Sequence, residues 1–197
     1  MLPFLGAAAL AFGAIFIAEF GDKSQLLVLA FATRHAALPV IAGIVVAAAT
    51  VQALSVVVGA ALGAALPETL ITVVAGLAFL GVAAWTLRDT VDEEEEARVA
   101  VETRRERPAI ALAAVVAGTF IVSELGDKTM LATFALAARQ DPIATWVGAT
   151  TGMVAANVVA VAVGRQLGAR LSPKVIRIGS AVLFAIAGIL VLASALR

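Results

Sequence analysis

The sequence predicts an all-α membrane protein: six transmembrane helices arranged as two inverted three-helix repeats. Three observations carry this reading. Of 197 residues, 62% are hydrophobic and only 14% charged, with a mean hydropathy of +1.04. Apolar runs of about 20 residues or more recur along the chain, long enough to cross a hydrocarbon core of roughly 30 Å. A short acidic signature stands in the middle of two of these runs, as Glu19-Phe20-Gly21-Asp22-Lys23-Ser24 and again as Glu124-Leu125-Gly126-Asp127-Lys128-Thr129.

Six prolines set the element boundaries: Pro3, Pro39, Pro67, Pro108, Pro142 and Pro173. Each falls at or just before an apolar run, where a missing backbone N–H is harmless. The helices expected are roughly 3–33, 39–66, 68–87, 108–138, 142–164 and 174–196. The first and fourth are overlong, since 30 helical residues make roughly 45 Å. They must tilt, protrude, or kink or break at the motif, where Gly21 and Gly126 permit unusual dihedrals. Residues 22–33 are too few to form a span of their own. Pro3 opens the first apolar run without a basic region before it, so that run reads as a membrane helix and not a removable signal.

The halves repeat at an offset of 105 residues. Glu19, Gly21, Asp22 and Lys23 align with Glu124, Gly126, Asp127 and Lys128. Gly43, Gly59 and Gly63 align with Gly148, Gly164 and Gly168, and Gln52 with Asn157. The expected division is a first repeat over 1–88, a charged linker over 89–107 and a second repeat over 108–197. Three helices per repeat invert the second half and bring the two acidic motifs together near the bilayer midplane.

Loop charge sets the orientation. One side would carry Arg34, the arginines of the linker, and Arg165, Arg170, Lys174 and Arg177; the other would carry Arg139 and Arg197. The positive-inside rule makes the richer side cytoplasmic and places both termini outside the inner membrane of a bacterium. Trp85 and Trp146 fall near helix ends, as interfacial tryptophans do. The linker reads as a solvated connection; the alternative is a cytoplasmic cation collector. A net charge of zero and no basic stripe argue against nucleic acid, and the absence of cysteine excludes disulfides and thiolate metal sites.

Charge in the middle of a membrane-length run is costly and marks function. On a continuous helix, Glu19, Asp22 and Lys23 would share one face, as would Glu124, Asp127 and Lys128. Four carboxylates at one point form a hard oxygen site for Ca²⁺ or Mn²⁺, whereas zinc and copper favour imidazole or thiolate. Ser24 and Thr129 add hydroxyls, and Gln52 and Asn157 could add amide oxygens. Thr50, Thr150 and Thr151 are further candidates, though helix packing explains them equally well. Met130 is a soft atom nearby that packs, or else tilts the choice towards manganese. Lys23 and Lys128 offset part of the charge and should pair with acids. Four ionised carboxylates without a cation are untenable in low dielectric, so protons and metal compete for them. Buried ion pairs that only fix helix register are the plainer alternative, but two motifs, each with an excess acid, would leave net negative charge in the membrane.

At these residues the chain resembles a family of small membrane proteins with two Glu-x-Gly-Asp-(Lys/Arg)-(Ser/Thr) signatures. Its members are Golgi and chloroplast calcium/manganese exchangers and bacterial manganese exporters. Both signatures are matched in full, and the two-half plan covers the whole chain. The resemblance implies that Glu19, Asp22, Glu124 and Asp127 are the cation-site acids. It also implies a cation/proton antiporter and not an enzyme, with Mn²⁺ or Ca²⁺ as cargo, protons as counter-substrate and no resident cofactor. Two other readings stay open: an exporter of an organic cation or amino acid, and an intramembrane aspartyl hydrolase using Asp22 and Asp127.

Overall fold

The computed structural model describes residues 2–19, 22–88, 107–167 and 173–195, and these are all-helical with no strand among them. Among the described residues eight helices follow one another: α1 (Leu2–Glu19), α2 (Lys23–Arg34), α3 (Ala37–Ala65), α4 (Glu68–Arg88), α5 (Ala109–Glu124), α6 (Lys128–Ala137), α7 (Pro142–Leu167) and α8 (Pro173–Ala195). The prolines stand where their sequence positions require: Pro108 at an N-cap, Pro142 and Pro173 as first helical residues. Asp141 opens α7 by accepting a hydrogen bond from the Ala144 N–H at 2.7 Å, which satisfies one free amide of the first turn.

The overlong first and fourth helices are each interrupted at the acidic signature. α1 ends at Glu19 and α2 begins at Lys23. Likewise α5 ends at Glu124 and α6 begins at Lys128, with a bend of 76° between them. Gly126 turns the chain there with φ +82°, a left-handed conformation that costs a residue with a Cβ about 1–2 kcal/mol. Gly21 lies outside the described residues.

α1, α3 and the Pro142–Ala162 part of α7 are long and apolar enough to cross a membrane, and the bent α5–α6 pair makes a fourth crossing if counted as one. α4 and α8 carry shorter apolar stretches, Thr69–Trp85 and Phe184–Ser194. Large side chains such as Leu10, Val57, Val74 and Leu190 face outwards, as expected of a surface solvated by lipid.

α3 and α7 pack against each other at the centre, with α1 laid along α7 and α5 along α3, while α4 and α8 pair. Small residues allow the close crossings. A Cβ on Gly43 would lie 2.6 Å from the Ala113 carbonyl oxygen of α5. Gly148, one repeat later, presses in the same way on Ala8 of α1. Ala8 and Ala113 are themselves 105 residues apart. Around these crossings Ile15, Phe31, Ile44, Val116, Phe120 and Met153 close the core, and Phe79 stacks on Phe184 between α4 and α8 at 6.0 Å.

Candidate cation site

The polar residues of the interior gather where the two breaks meet. Glu19 is the last residue of α1 and Glu124 the last of α5, both fully buried. Asp22 and Asp127 occupy the N-cap positions of α2 and α6 with nearly the same backbone, φ −82° and ψ 159° against φ −79° and ψ 169°. An aspartate at that position ordinarily accepts from the first free amides of its helix. Neither does so here.

The shared helix face expected of each motif is therefore corrected. Glu, Asp and Lys do not lie on one continuous helix. In the second motif the positive-φ Gly126 and the extended Asp127 end the hydrogen-bond ladder; in the first, α1 stops at Glu19 and α2 starts at Lys23 after an extended Asp22. What brings the acids together is the meeting of two breaks. Oxygens of Glu19, Asp22 and Glu124 lie within 4.8 Å of one another, drawn from both halves of the chain. Asp127 stands beside them, close enough to act on the charge of Glu19 and Glu124, but outside that triplet.

Each glutamate is held by one oxygen. Ser24 Oγ donates to Glu19 Oε1 at 2.6 Å, and Thr129 Oγ1 donates to Glu124 Oε2 at 2.9 Å. The hydroxyls predicted as supporting residues thus orient the acids five positions before them. Asn157 of α7 donates through Nδ2 to Glu19 Oε1 and to the Met153 carbonyl oxygen, both at 3.0 Å. Two acceptors fix the amide's orientation, since the flipped form would set oxygen against oxygen. Lys128 Nζ reaches across the halves to Asp22 Oδ1 at 2.8 Å, with both side chains buried. The Lys23 side chain lies outside the described residues.

The second oxygens are left over. Glu19 Oε2, Asp22 Oδ2, Glu124 Oε1, Asp127 Oδ2 and Asn157 Oδ1 are buried and have no hydrogen-bond partner among the described residues. A buried acceptor without a donor costs about 1–3 kcal/mol, and more when charged. Glu19, Asp22 and Glu124, whose oxygens converge, each contribute one of these unpartnered oxygens, and an oxygen-only lining suits a hard cation, which binds six to eight oxygens.

Gln52, the repeat counterpart of Asn157, departs from expectation. Its Oε1 accepts from Thr133 Oγ1 at 2.7 Å and its Nε2 faces Met153 Sδ at 3.8 Å, so it is not turned to a carboxylate. Thr133 and Met153 were not singled out in the sequence. The signal was there: at the repeat offset they replace Val28 and Ala48. Met130 Sδ accepts from the Gly126 N–H at 3.2 Å and so braces the break. Thr50 and Thr151 bond the carbonyls one turn back in their own helices. Trp146 donates to the Ala49 carbonyl oxygen at 3.0 Å.

The fold and the site define a helical protein with membrane-length apolar helices and acids from two interrupted helices buried at its core. The comparisons name the kind. A family model described as "Divalent cation/proton antiporter GDT1" matches residues 7–94 and 111–197, and the chain belongs to that family. Among curated relatives, the "Putative manganese exporter" of Vibrio cholerae is 32% identical over 184 residues, covering 91% of this chain and 87% of the relative. "Protein PAM71, chloroplastic" of Arabidopsis thaliana is 34% identical over 200 residues, covering 89% and 54%. "GDT1-like protein 2, chloroplastic" of Oryza sativa subsp. japonica is 30% identical over 198 residues, covering 88% and 57%. The chain thus spans about half the length of these two chloroplast relatives. No solved structure matches.

Proposed function

We propose that the chain is a secondary transporter that exports Mn²⁺, and Ca²⁺ as a second cargo, from the cytoplasm in exchange for protons. In this reading residues 1–88 and 108–197 are inverted repeats of three spans each. The linker 89–107 is cytoplasmic, and both termini lie outside a bacterial inner membrane. The linker falls almost wholly outside the described residues. Glu19, Asp22, Glu124 and Asp127 bind the cargo, Asn157 adds a neutral oxygen, and Ser24 and Thr129 aim the glutamates. The repeats rock about this site to open it to either side.

One observation carries the proposal: the three carboxylates that converge within 4.8 Å come from both repeats and keep their second oxygens unpartnered among the described residues. The all-oxygen donor set supports a hard cation, and the name of the Vibrio relative supports manganese. Asp22 already holds Lys128 through one oxygen, which suits a charge-balanced cation site better than a pair of aspartates sharing a proton to activate water. The test is flux in proteoliposomes. Wild-type protein should drive Mn²⁺ uptake against a proton gradient, with Ca²⁺ competing, and Glu19→Gln or Glu124→Gln should abolish it. Flux indifferent to both substitutions would remove these residues from the site.

A further inference from the structure

The repeat symmetry is broken at one pair of residues, and the break is informative. Asn157 and Gln52 occupy equivalent positions on α7 and α3, and both are fully buried. Glu19 and Glu124 are likewise equivalent. If both halves were alike, Gln52 would donate to Glu124 as Asn157 donates to Glu19. Instead Thr133 and Met153 hold the Gln52 amide, and Glu124 Oε1 has no partner among the described residues. The first repeat has Val28 and Ala48 at the positions of Thr133 and Met153. Neither can make a hydrogen bond, so nothing equivalent holds Asn157 away from Glu19.

We infer that Gln52 and Asn157 are alternating positioning residues. In the state seen here Asn157 engages Glu19 while Gln52 is held off by Thr133 and Met153. In the oppositely facing state Gln52 engages Glu124 and Asn157 releases Glu19. This rests on the inverted-repeat exchange proposed above. Exchanging the two repeats' conformations then exchanges these two contacts. The two amides, their two acids and the Thr133–Met153 hold are all in place. The hold gives the cycle a resting side, because only Gln52 has side-chain partners in place of an acid, whereas the other partner of Asn157 is a carbonyl oxygen of its own helix that it binds together with Glu19. Thr133 acts through Gln52 and touches no cargo oxygen.

The sequence supplies its own probe, since Asn157 is the chain's single asparagine. Protein labelled with ¹⁵N-asparagine in lipid nanodiscs gives one side-chain amide. Alternation predicts two Asn157 environments, seen as two signals or as their weighted average. Thr133→Val, which installs the first-repeat residue, should change their ratio, or the averaged position, by an amount equal to at least a threefold shift in population. Met153→Leu keeps volume and removes the sulfur, and should move the signal the same way should Thr133→Val fail to fold. A single Asn157 signal unmoved by either variant overturns the inference. Manganese flux by the wild-type preparation is measured alongside. Loss of that flux counts against the transporter reading, whereas intact flux with an unmoved Asn157 signal counts against the alternation alone.

Discussion

Replacing Lys128 by Met should be far more damaging than replacing its partner Asp22 by Asn. The ammonium and Asp22 Oδ1 are 2.8 Å apart and both buried. At an effective dielectric of about 20 that separation is worth about 6 kcal/mol of attraction. Methionine keeps the stem volume and also spares the desolvation of the ammonium, several kcal/mol, so the net loss is smaller. Breaking a buried pair from one side costs about 3–5 kcal/mol, and Lys128→Met belongs in that range. The reason is the company Asp22 keeps: Glu19, Glu124 and Asp127 all stand close by, and the lysine is a counter-charge to the whole group. Asp22→Asn removes one acid from a crowded group of four and keeps an oxygen for the ammonium. It should cost under about 1.5 kcal/mol, the worth of one neutral hydrogen bond. The double variant should then regain at least about 1.5 kcal/mol over Lys128→Met, since one of its repelling charges has gone. The assay is reversible unfolding in mixed micelles with a chelator present and pH fixed. Equal damage from the two single variants, or a double variant no better than Lys128→Met, would show that unbalanced acid charge is not the cause.

Other expectations follow from single contacts. Gly43→Ala and Gly148→Ala place a methyl against a backbone carbonyl and should each cost about 1–3 kcal/mol, whereas Gly118→Ala, with open space around it, should be neutral in the same unfolding assay. Gly126→Ala should lose about 1–2 kcal/mol and Gly126→Asn less, because asparagine tolerates positive φ. Ser24→Ala and Thr129→Val should each weaken Mn²⁺ binding about tenfold, the equivalent of a charge-assisted hydrogen bond, with the fold unchanged by circular dichroism. Manganese binding should release protons into weakly buffered medium, and apparent affinity should fall as pH falls, because only deprotonated carboxylates are ligands. Binding calorimetry in two buffers of different ionisation enthalpy measures both.

Much of this was legible in the sequence, because charge in oil is a loud signal and prolines are sharp boundaries. Every described helix begins within a few residues of where a proline or an acidic signature places it, and both motifs do meet. The arrangement within each motif was less legible. An i, i+3, i+4 spacing describes a helix face only while the helix continues, and continuity depends on Gly126 taking positive φ. Glycine permits that conformation without requiring it. The role of Gln52 was hidden for another reason. Its hydrogen bond comes from Thr133, 81 residues away, and its sulfur neighbour from Met153, 101 residues away, and spacing along one helix reports neither. Only comparison of the repeats position by position could expose them, since a threonine in place of Val28 looks conservative in volume.

The breaks also explain why the acids come as Glu and Asp three residues apart with a glycine between them, and not as any four acids on intact helices. A continuous helix spends its backbone carbonyls and amides on itself and offers a cation only side chains. A helix that stops at Glu19 or Glu124 presents its negative end there, which favours positive charge within about a turn. The helix that restarts at Lys23 or Lys128 presents its positive end, which favours the charge on Asp22 or Asp127 even though neither carboxylate makes the capping bond. In the proposed transporter each aspartate sits at the start of its own helix, and each glutamate lies at a helix end that favours the cation. Two such half-helix junctions, from opposite halves of the chain, bring two negative and two positive helix ends together with their acids. The same interruption separates two helical segments on either side, so in the proposed transporter one local feature would supply both the ligand field and the hinge of alternating access.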